Sequence, residues 1–332
     1  MTRPVDFPEL LQSFFSSRLI AQRRASPHTI ASYRDTFRLL LQFAHKNLGK
    51  PPSQITMDKL NATFIGAFLD SLEGDRGNAA RTRNLRMTVI RSFFRYAALE
   101  SPQHSGLLQR VLAIPSKRHE RRLVGFLTRA EIDALLSAPN RDNWRRRRDH
   151  ALLLTAVQTG LRLSELTALC QKDVTLGRGA HVRCQGKGRK QRCTPLAKAT
   201  AAVLAEWIRE QGPAGTPTLF PNAQGGRLSS DAVQHLVSKY AAAAELTCSS
   251  LKTKRVTPHV LRHSAAMELL QAGVDRSVIA LWLGHESVET TQIYLDADLA
   301  LKEQALRKTA PLEATEVRFR PDDQLLAFLK SL

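Results

Sequence analysis

Apolar residues recur at helical spacing along much of the chain, and over residues 173–196 that period changes. There DVTLGRGAHVRCQGKGRKQRCTPL reads as short strands separated by Gly177, Gly179, Gly186 and Gly188. A chain patterned this way can bury its apolar stripes in helix packing with one β insertion. The expected class is mainly α with a small antiparallel sheet, and Gly186-Lys187-Gly188-Arg189 would be a hairpin tip.

Before the insertion, helices are expected over residues 7–22, 28–48, 57–72, 78–99 and 103–113, punctuated by Pro27, Pro51-Pro52, Gly74 and Gly77. Pro115 to Arg122 is polar, charged and opened by proline, and reads as a linker. It would separate a helical domain at 1–114 from a second domain at 123–310, with a tail at 311–332. In the second domain Thr128-Arg129-Ala130-Glu131 has the form of a capping box. A helix over 147–158 should end near Gly160. Further helices are expected at 197–211, 229–243, 258–271, 275–283 and 287–308.

Charge narrows the class of partner. The 332 residues carry 49 Lys and Arg against 30 Asp and Glu, a formal net charge of +19. The excess divides evenly, +10 over residues 1–118 and +9 over 119–332. Two basic domains sharing one DNA duplex fit this division better than a neutral enzyme with a basic tail. No run of eighteen apolar residues and no secretory leader pattern is present, so a soluble, cytoplasmic protein with no membrane role is expected. Cys170, Cys184, Cys193 and Cys248 form no C-x-x-C pair, and neither a disulfide framework nor a zinc ribbon is indicated.

Three clusters could carry chemistry. In Thr159-Gly160-Leu161-Arg162-Leu163-Ser164-Glu165-Leu166 a glycine turn precedes a helix on which Arg162 and Glu165 share a face. A guanidinium held by a carboxylate suits a phosphodiester, although a surface ion pair has the same spacing. In Thr257-Pro258-His259-Val260-Leu261-Arg262-His263-Ser264 the three-residue spacing returns with an imidazole added. His259 and His263 have metalloprotease spacing, but Val260 stands where that motif needs glutamate, and no metal is expected. Leu281-Trp282-Leu283-Gly284-His285 is followed by Tyr294, which could be a nucleophile or a core residue. Residues 263–294 also pass for a helix-turn-helix turning at Ala272-Gly273-Val274-Asp275. A noncatalytic DNA-binding regulator is therefore the alternative reading, and a metal-dependent nuclease is a weaker one for want of an acidic cluster.

Taken in order, Arg162 and Glu165, Lys187, His259 and Arg262, His285 and Tyr294 resemble the tyrosine recombinases, or phage integrase family. The segments TGLRLSEL, GKG, HVLRH and LGH are similar to those of Xer-type members. The resemblance implies a helical core-binding (SAM-like) N-terminal domain and a mixed α/β catalytic domain. The implied activity is site-specific DNA recombination, either Xer-like resolution or movement of a mobile element, by cleavage and rejoining through a 3′-phosphotyrosyl intermediate at Tyr294. No cofactor is implied.

By the same resemblance Arg162 and Arg262 would stabilise charge on the phosphate and Lys187 would protonate the leaving oxygen, with Lys190 as the alternative. His259 would assist tyrosine deprotonation or hydrogen-bond the phosphate. His285 would support it, and Glu165 would orient Arg162 or His259. Double-stranded DNA would be the partner, in a homo- or hetero-tetramer on two sites associated with the nucleoid, with partner recombinases possible. Arg81, Arg83, Asn84, Arg86, Arg91 and Arg95 fall on one expected helix or its approach and would contact DNA by base reading or by phosphate contact alone. Arg189 and Lys190 would join them from the hairpin. The amphipathic stretch from Asp322 to Leu332 would be donated to a neighbouring protomer, across a polar spacer longer than the family's, Pro311 to Pro321.

Overall fold

The computed structural model describes residues 6–120, 124–186, 191–212 and 217–284. Lys187, Gly188 and Arg189 of the expected hairpin tip, Lys190, the expected helix at 287–308, His285, Tyr294 and the tail lie outside these residues. The chain divides into two compact units, Met1–Arg121 and Arg122–Leu332. Among the described residues, no helix is long and apolar enough to cross a membrane, and all four cysteines are free thiols.

Among the described residues of the first unit, the regular elements are all helical. Helix α1 (Phe7–Ser13) starts where Asp6 accepts the Phe7 N–H, and it runs into a π-helical stretch, Phe14–Gln22. That stretch ends with the Arg23 N–H bonded to the Arg18 carbonyl. Helix α2 (Pro27–Leu48) is capped by Ser26, has proline at its first position and stops at Gly49, whose φ of 64° is left-handed. Helices α3 (Ala62–Gly74), α4 (Ala80–Glu100) and α5 (Ser105–Leu112) follow. The expected continuous helix over 57–72 is split. Met57–Lys59 forms a 3₁₀ turn, Leu60 leaves helical geometry, and Asn61 accepts the Phe64 N–H to open α3 afresh.

An aromatic cluster holds this unit together. Phe14 lies 5.5 Å from Phe93, which lies 5.2 Å from Phe37 and 5.7 Å from Phe7. Each of these rings is 2% exposed or less, worth about 1.5–3 kcal/mol apiece in burial.

In the second unit α6 (Arg129–Ser137) carries the expected capping box between Thr128 and Glu131. The Glu131 carboxylate also accepts from Lys254 at 2.7 Å and Ser250 at 2.6 Å, tying this helix start to residues 250–254. Helix α7 (Trp144–Thr159) is central, buried on most sides, and ends at left-handed Gly160. After the short α8 (Leu163–Ala168) come β1 (Val174–Thr175), β2 (His181–Gln185) and β3 (Gln191–Pro195), paired antiparallel in that order. The register sets Cys184 opposite Arg192 and Val182 opposite Thr194. Val182 and Cys184 face the core and Arg183 faces out, the alternation a one-sided sheet requires.

Helices α9 (Lys198–Gln211), α10 (Ser230–Ala244), α11 (Pro258–Gln271) and α12 (Arg276–Leu283) complete the described part. Helix α7 packs against α6, α9 and α11. A small separate core of Ala266, Met267, Leu270, Ile279 and Leu283 seats α12 on α11.

Candidate active site

The site is assembled where α7 ends, α8 begins and α12 stops. Gly160 terminates α7 with φ 61°, and a Cβ there would stand 2.6 Å from Leu283 Cδ2. Glycine is needed for both the left-handed turn and the close approach of α12. Two residues on, Arg162 is extended at the N-cap of α8. Glu165, at the third helical position, reaches back to accept the Arg162 backbone N–H at 2.8 Å, the carboxylate half of a capping box. Its other oxygen accepts from Arg162 Nη1 at 3.0 Å. The three-residue spacing thus makes Glu165 at once a helix cap and a brace for a guanidinium.

A second arginine completes this arrangement. Arg192 on β3 donates through Nη1 and Nη2 to the two oxygens of Glu165, at 2.8 and 2.7 Å. The Glu165 side chain is 3% exposed and accepts four N–H bonds, the capacity of an ionised carboxylate. Burial pushes its carboxyl up, but the Arg192 hydrogen bonds, the Arg162 N–H and the neighbouring charges outweigh that and hold it below the usual carboxylate range.

Helix α11 brings Arg262 and His259. Thr257 caps this helix by accepting the Val260 N–H, and Pro258 occupies its first position. Arg262 is buried and donates to the Gly160 carbonyl at 2.6 Å and to the Leu283 carbonyl at 2.8 Å. Arg162 Nη2 donates to the Gly284 carbonyl at 2.6 Å, and Arg192 Nε to the Trp282 carbonyl at 3.1 Å. Three consecutive carbonyls at the C-terminus of α12 are therefore taken by three different arginines. These are the carbonyls a helix end leaves without intrahelical partners, and cations are favoured there. The Trp282 indole donates in turn to the Thr159 carbonyl at 3.1 Å.

His259 opens to solvent at the start of α11, with its ring 4.2 Å from that of His263. The protein around the imidazole, then Arg262 and Arg162, push its pKa below the ordinary histidine value, so at neutral pH it is uncharged. Three guanidiniums, one carboxylate and a neutral imidazole give this part of the site a net charge of +2. Such a set fixes and polarises an anion and can exchange a proton through the imidazole. No three potential metal ligands cluster among the described residues.

Arg162, Glu165, His259 and Arg262 are thus brought together, and Lys187, Arg189, Lys190, His285 and Tyr294 lie outside the described residues. Arg192 was not among the sequence candidates. A carboxylate with two lone-pair directions beyond its own helix start was the available signal for a further cation, but no sequence spacing pointed to a residue 27 positions away.

Of the residues expected to meet DNA from the first unit, Arg81 and Arg95 are exposed on α4. The others are turned inward or tied. Arg83 is buried with Nε 3.4 Å from Glu73. Arg86 donates to Thr36 Oγ1 at 2.9 Å, Asn84 exchanges two hydrogen bonds with the Lys117 backbone, and Arg91 donates to the Ile114 carbonyl and to Ser116.

Comparisons with known proteins agree with this geometry. The sequence profile of the phage integrase family matches residues 125–300, and that of the phage integrase N-terminal SAM-like domain matches 12–101. The integrase/recombinase y4rC of Sinorhizobium fredii is 60% identical over 332 residues, all of both chains. The tyrosine recombinase XerC of Pelobacter propionicus is 32% identical over 287 residues, covering 86% of this chain and 90% of that one. In fold the chain is similar to the XerH site-specific recombinase in a post-cleavage complex with its palindromic difH substrate, with TM-score 0.70, 24% identity, and 86% and 81% of the two chains covered. The helical N-terminal unit, the mixed catalytic unit with its three-stranded sheet and the arginine-rich site together place this chain in the phage integrase family, the tyrosine recombinases that carry out site-specific recombination.

Proposed function

We propose that the chain cuts and rejoins DNA strands through a covalent protein–DNA ester on Tyr294. The observation that carries this reading is the convergence of Arg162 and Arg262 on the end of α12, each plane fixed by backbone carbonyls and Arg162 further braced by Glu165. Guanidiniums preorganised in this way stabilise the charge that builds on a phosphate under attack, without reorganising during the reaction. The Tyr294 oxygen attacks phosphorus, the bond to the 5′-oxygen breaks, and that oxygen takes a proton from Lys187, or from Lys190 on the same hairpin. The freed 5′-hydroxyl of a partner strand then attacks the phosphotyrosine, releasing Tyr294 and closing a new phosphodiester. His259, neutral at rest, accepts the tyrosine proton or hydrogen-bonds the phosphate, and His285 supports the phosphate. Glu165 has all four of its acceptor positions committed, which favours its orienting Arg162 over His259.

The substrate is double-stranded DNA held by both basic units, and recombination between two sites calls for a tetramer, homomeric or with a partner recombinase, working on the nucleoid. Residues 1–114 form the core-binding domain and 123–310 the catalytic domain, joined by 115–122, with the tail at 311–332 donating its final stretch in trans. On α4 the tied side chains of Arg83, Asn84, Arg86 and Arg91 favour phosphate contact through Arg81 and Arg95 over base reading, with Arg189 and Lys190 adding contacts from the hairpin.

A nicked suicide duplex carrying the recombination site, incubated with the protein in EDTA and resolved by denaturing electrophoresis, tests the chemistry. A protein–DNA adduct formed by the wild type and absent in Tyr294→Phe is expected. An adduct that persists in Tyr294→Phe overturns the assignment of the nucleophile, and binding without any adduct returns the protein to the class of regulators.

A further inference from the structure

We propose that Arg192 is a positioning residue for the cleavage step, acting through Glu165 on Arg162 and through the Trp282 carbonyl on the end of α12. The inference rests on the strand-cleavage reading above and extends it to a residue outside the set of phosphate-binding and proton-transferring groups.

The geometry distinguishes Arg192 from an ordinary cation on a sheet. All three nitrogens of its guanidinium are used: Nη1 and Nη2 on the two oxygens of Glu165, and Nε on the Trp282 carbonyl. A planar fork can satisfy this three-point arrangement, whereas an ammonium, a point donor, cannot span both carboxylate oxygens and the carbonyl together. The side chain is 12% exposed, so it is positioned inside the protein and offers little surface to DNA. Cys184 faces it across the β2–β3 pair, but burial pushes that thiol up to about 11, which leaves it uncharged. The negative charge that holds Arg192 therefore comes from Glu165.

Its location gives this contact a consequence. Arg192 is the second residue of β3, two positions after Lys190. Trp282 and Gly284 are the last described turn before His285. A Cβ at Gly284 would stand 2.7 Å from Arg192 Nη1, so the chain packs directly against this guanidinium as it leaves α12. Arg192 is thus the side chain through which the strand following the hairpin, the carboxylate bracing Arg162 and the helix end preceding His285 are held in register. Removing it takes away two of the four hydrogen bonds that hold Glu165, so the carboxylate bracing Arg162 is left with only the bonds from Arg162 itself.

Single-turnover cleavage of the suicide duplex at saturating protein measures this, using wild type, Arg192→Ala, Arg192→Lys, Arg162→Ala, the Arg162→Ala/Arg192→Ala double variant and Tyr294→Phe. Arg192→Ala is expected to slow cleavage about 100-fold, the scale of a misplaced catalytic group, with DNA binding retained in a gel-shift assay. Arg192→Lys, although it keeps the charge, is expected to be slowed nearly as much. The double variant is expected to lose less than the product of the two single losses, because the route through Glu165 is common to both residues.

Multiplying losses in the double variant, or wild-type cleavage in Arg192→Lys, would overturn the proposal. Thermal melting reports folding, and Arg192→Lys with its double variant serves if alanine does not fold. An adduct that survives in Tyr294→Phe would instead reject the cleavage reading, so the two failures are separable.

Discussion

Arg262 on α11 donates to the Gly160 carbonyl, 102 positions earlier in the chain, and to the Leu283 carbonyl, 21 positions later. One buried guanidinium thus joins the C-termini of α7 and α12. The two helix ends can be this close because position 160 has no side chain.

Gly160→Ala is therefore expected to destabilise the second unit by about 2–4 kcal/mol, from left-handed strain plus a methyl driven into Leu283. Urea denaturation followed by the tryptophans of that unit, Trp144, Trp207 and Trp282, should show the loss. A change below about 0.5 kcal/mol, the range of an ordinary surface substitution, would contradict the packing described.

Glu165→Gln removes the one anion between two guanidiniums and sets an amide N–H₂ against donors. Breaking a buried ion pair from one side costs about 3–5 kcal/mol, and this side chain is 3% exposed. Loss of stability is expected together with loss of covalent adduct. Wild-type adduct formation in a folded Glu165→Gln protein would show that the brace is dispensable.

His259 gives a pH prediction. Its folded pKa lies below the ordinary value of 6.5, so the unfolded chain takes up the proton first as pH falls. Whatever stability its neutral form contributes is complete above pH 6.5 and diminishes as pH drops toward the folded value. Arg162→Ala, by removing one of the positive neighbours, should move that value back up. An NMR titration of the imidazole reads both effects, and a wild-type midpoint above 6.5 would be incompatible with the surroundings described.

Ser264 is fully buried on α11, where its hydroxyl accepts the Leu127 N–H at 2.8 Å and donates to the Val260 carbonyl. Ser264→Ala leaves the Leu127 amide without its partner and should cost about 1–3 kcal/mol. Hydrogen exchange at Leu127 should accelerate in step. Unchanged protection there would mean that the amide has another acceptor.

The helices and the short sheet were legible because their signals are local. Period, caps and glycines fix α2, α6, α7 and α11 within a few residues. Where a local signal is weak the reading ran on, as at Met57–Lys59, whose apolar pattern continues across a break set by the Asn61 cap. The π-helical stretch Phe14–Gln22 was read through for a related reason: its buried pair, Phe14 and Leu19, is five apart, but Phe15 and Leu19 are four apart and fit the α period as well.

In the site, Arg162 with Glu165 and His259 with Arg262 were legible because each pair lies three apart on one helix or its cap. Arg192 was not, because in GKGRKQRCTPL it is one cation among four and its partner is on another element. On α4 the arginines look alike in composition, yet Arg83 sits four residues before Met87 and seven before Ile90, on the buried stripe. Reading that phase would have separated it from exposed Arg81 and Arg95.

The three arginines on the carbonyls of Trp282, Leu283 and Gly284 have one more consequence. A helix end capped only by water can fray, and whatever follows it inherits that uncertainty of origin and heading. Here the three guanidiniums moor the helix end at residue 284, so it has a fixed position and direction.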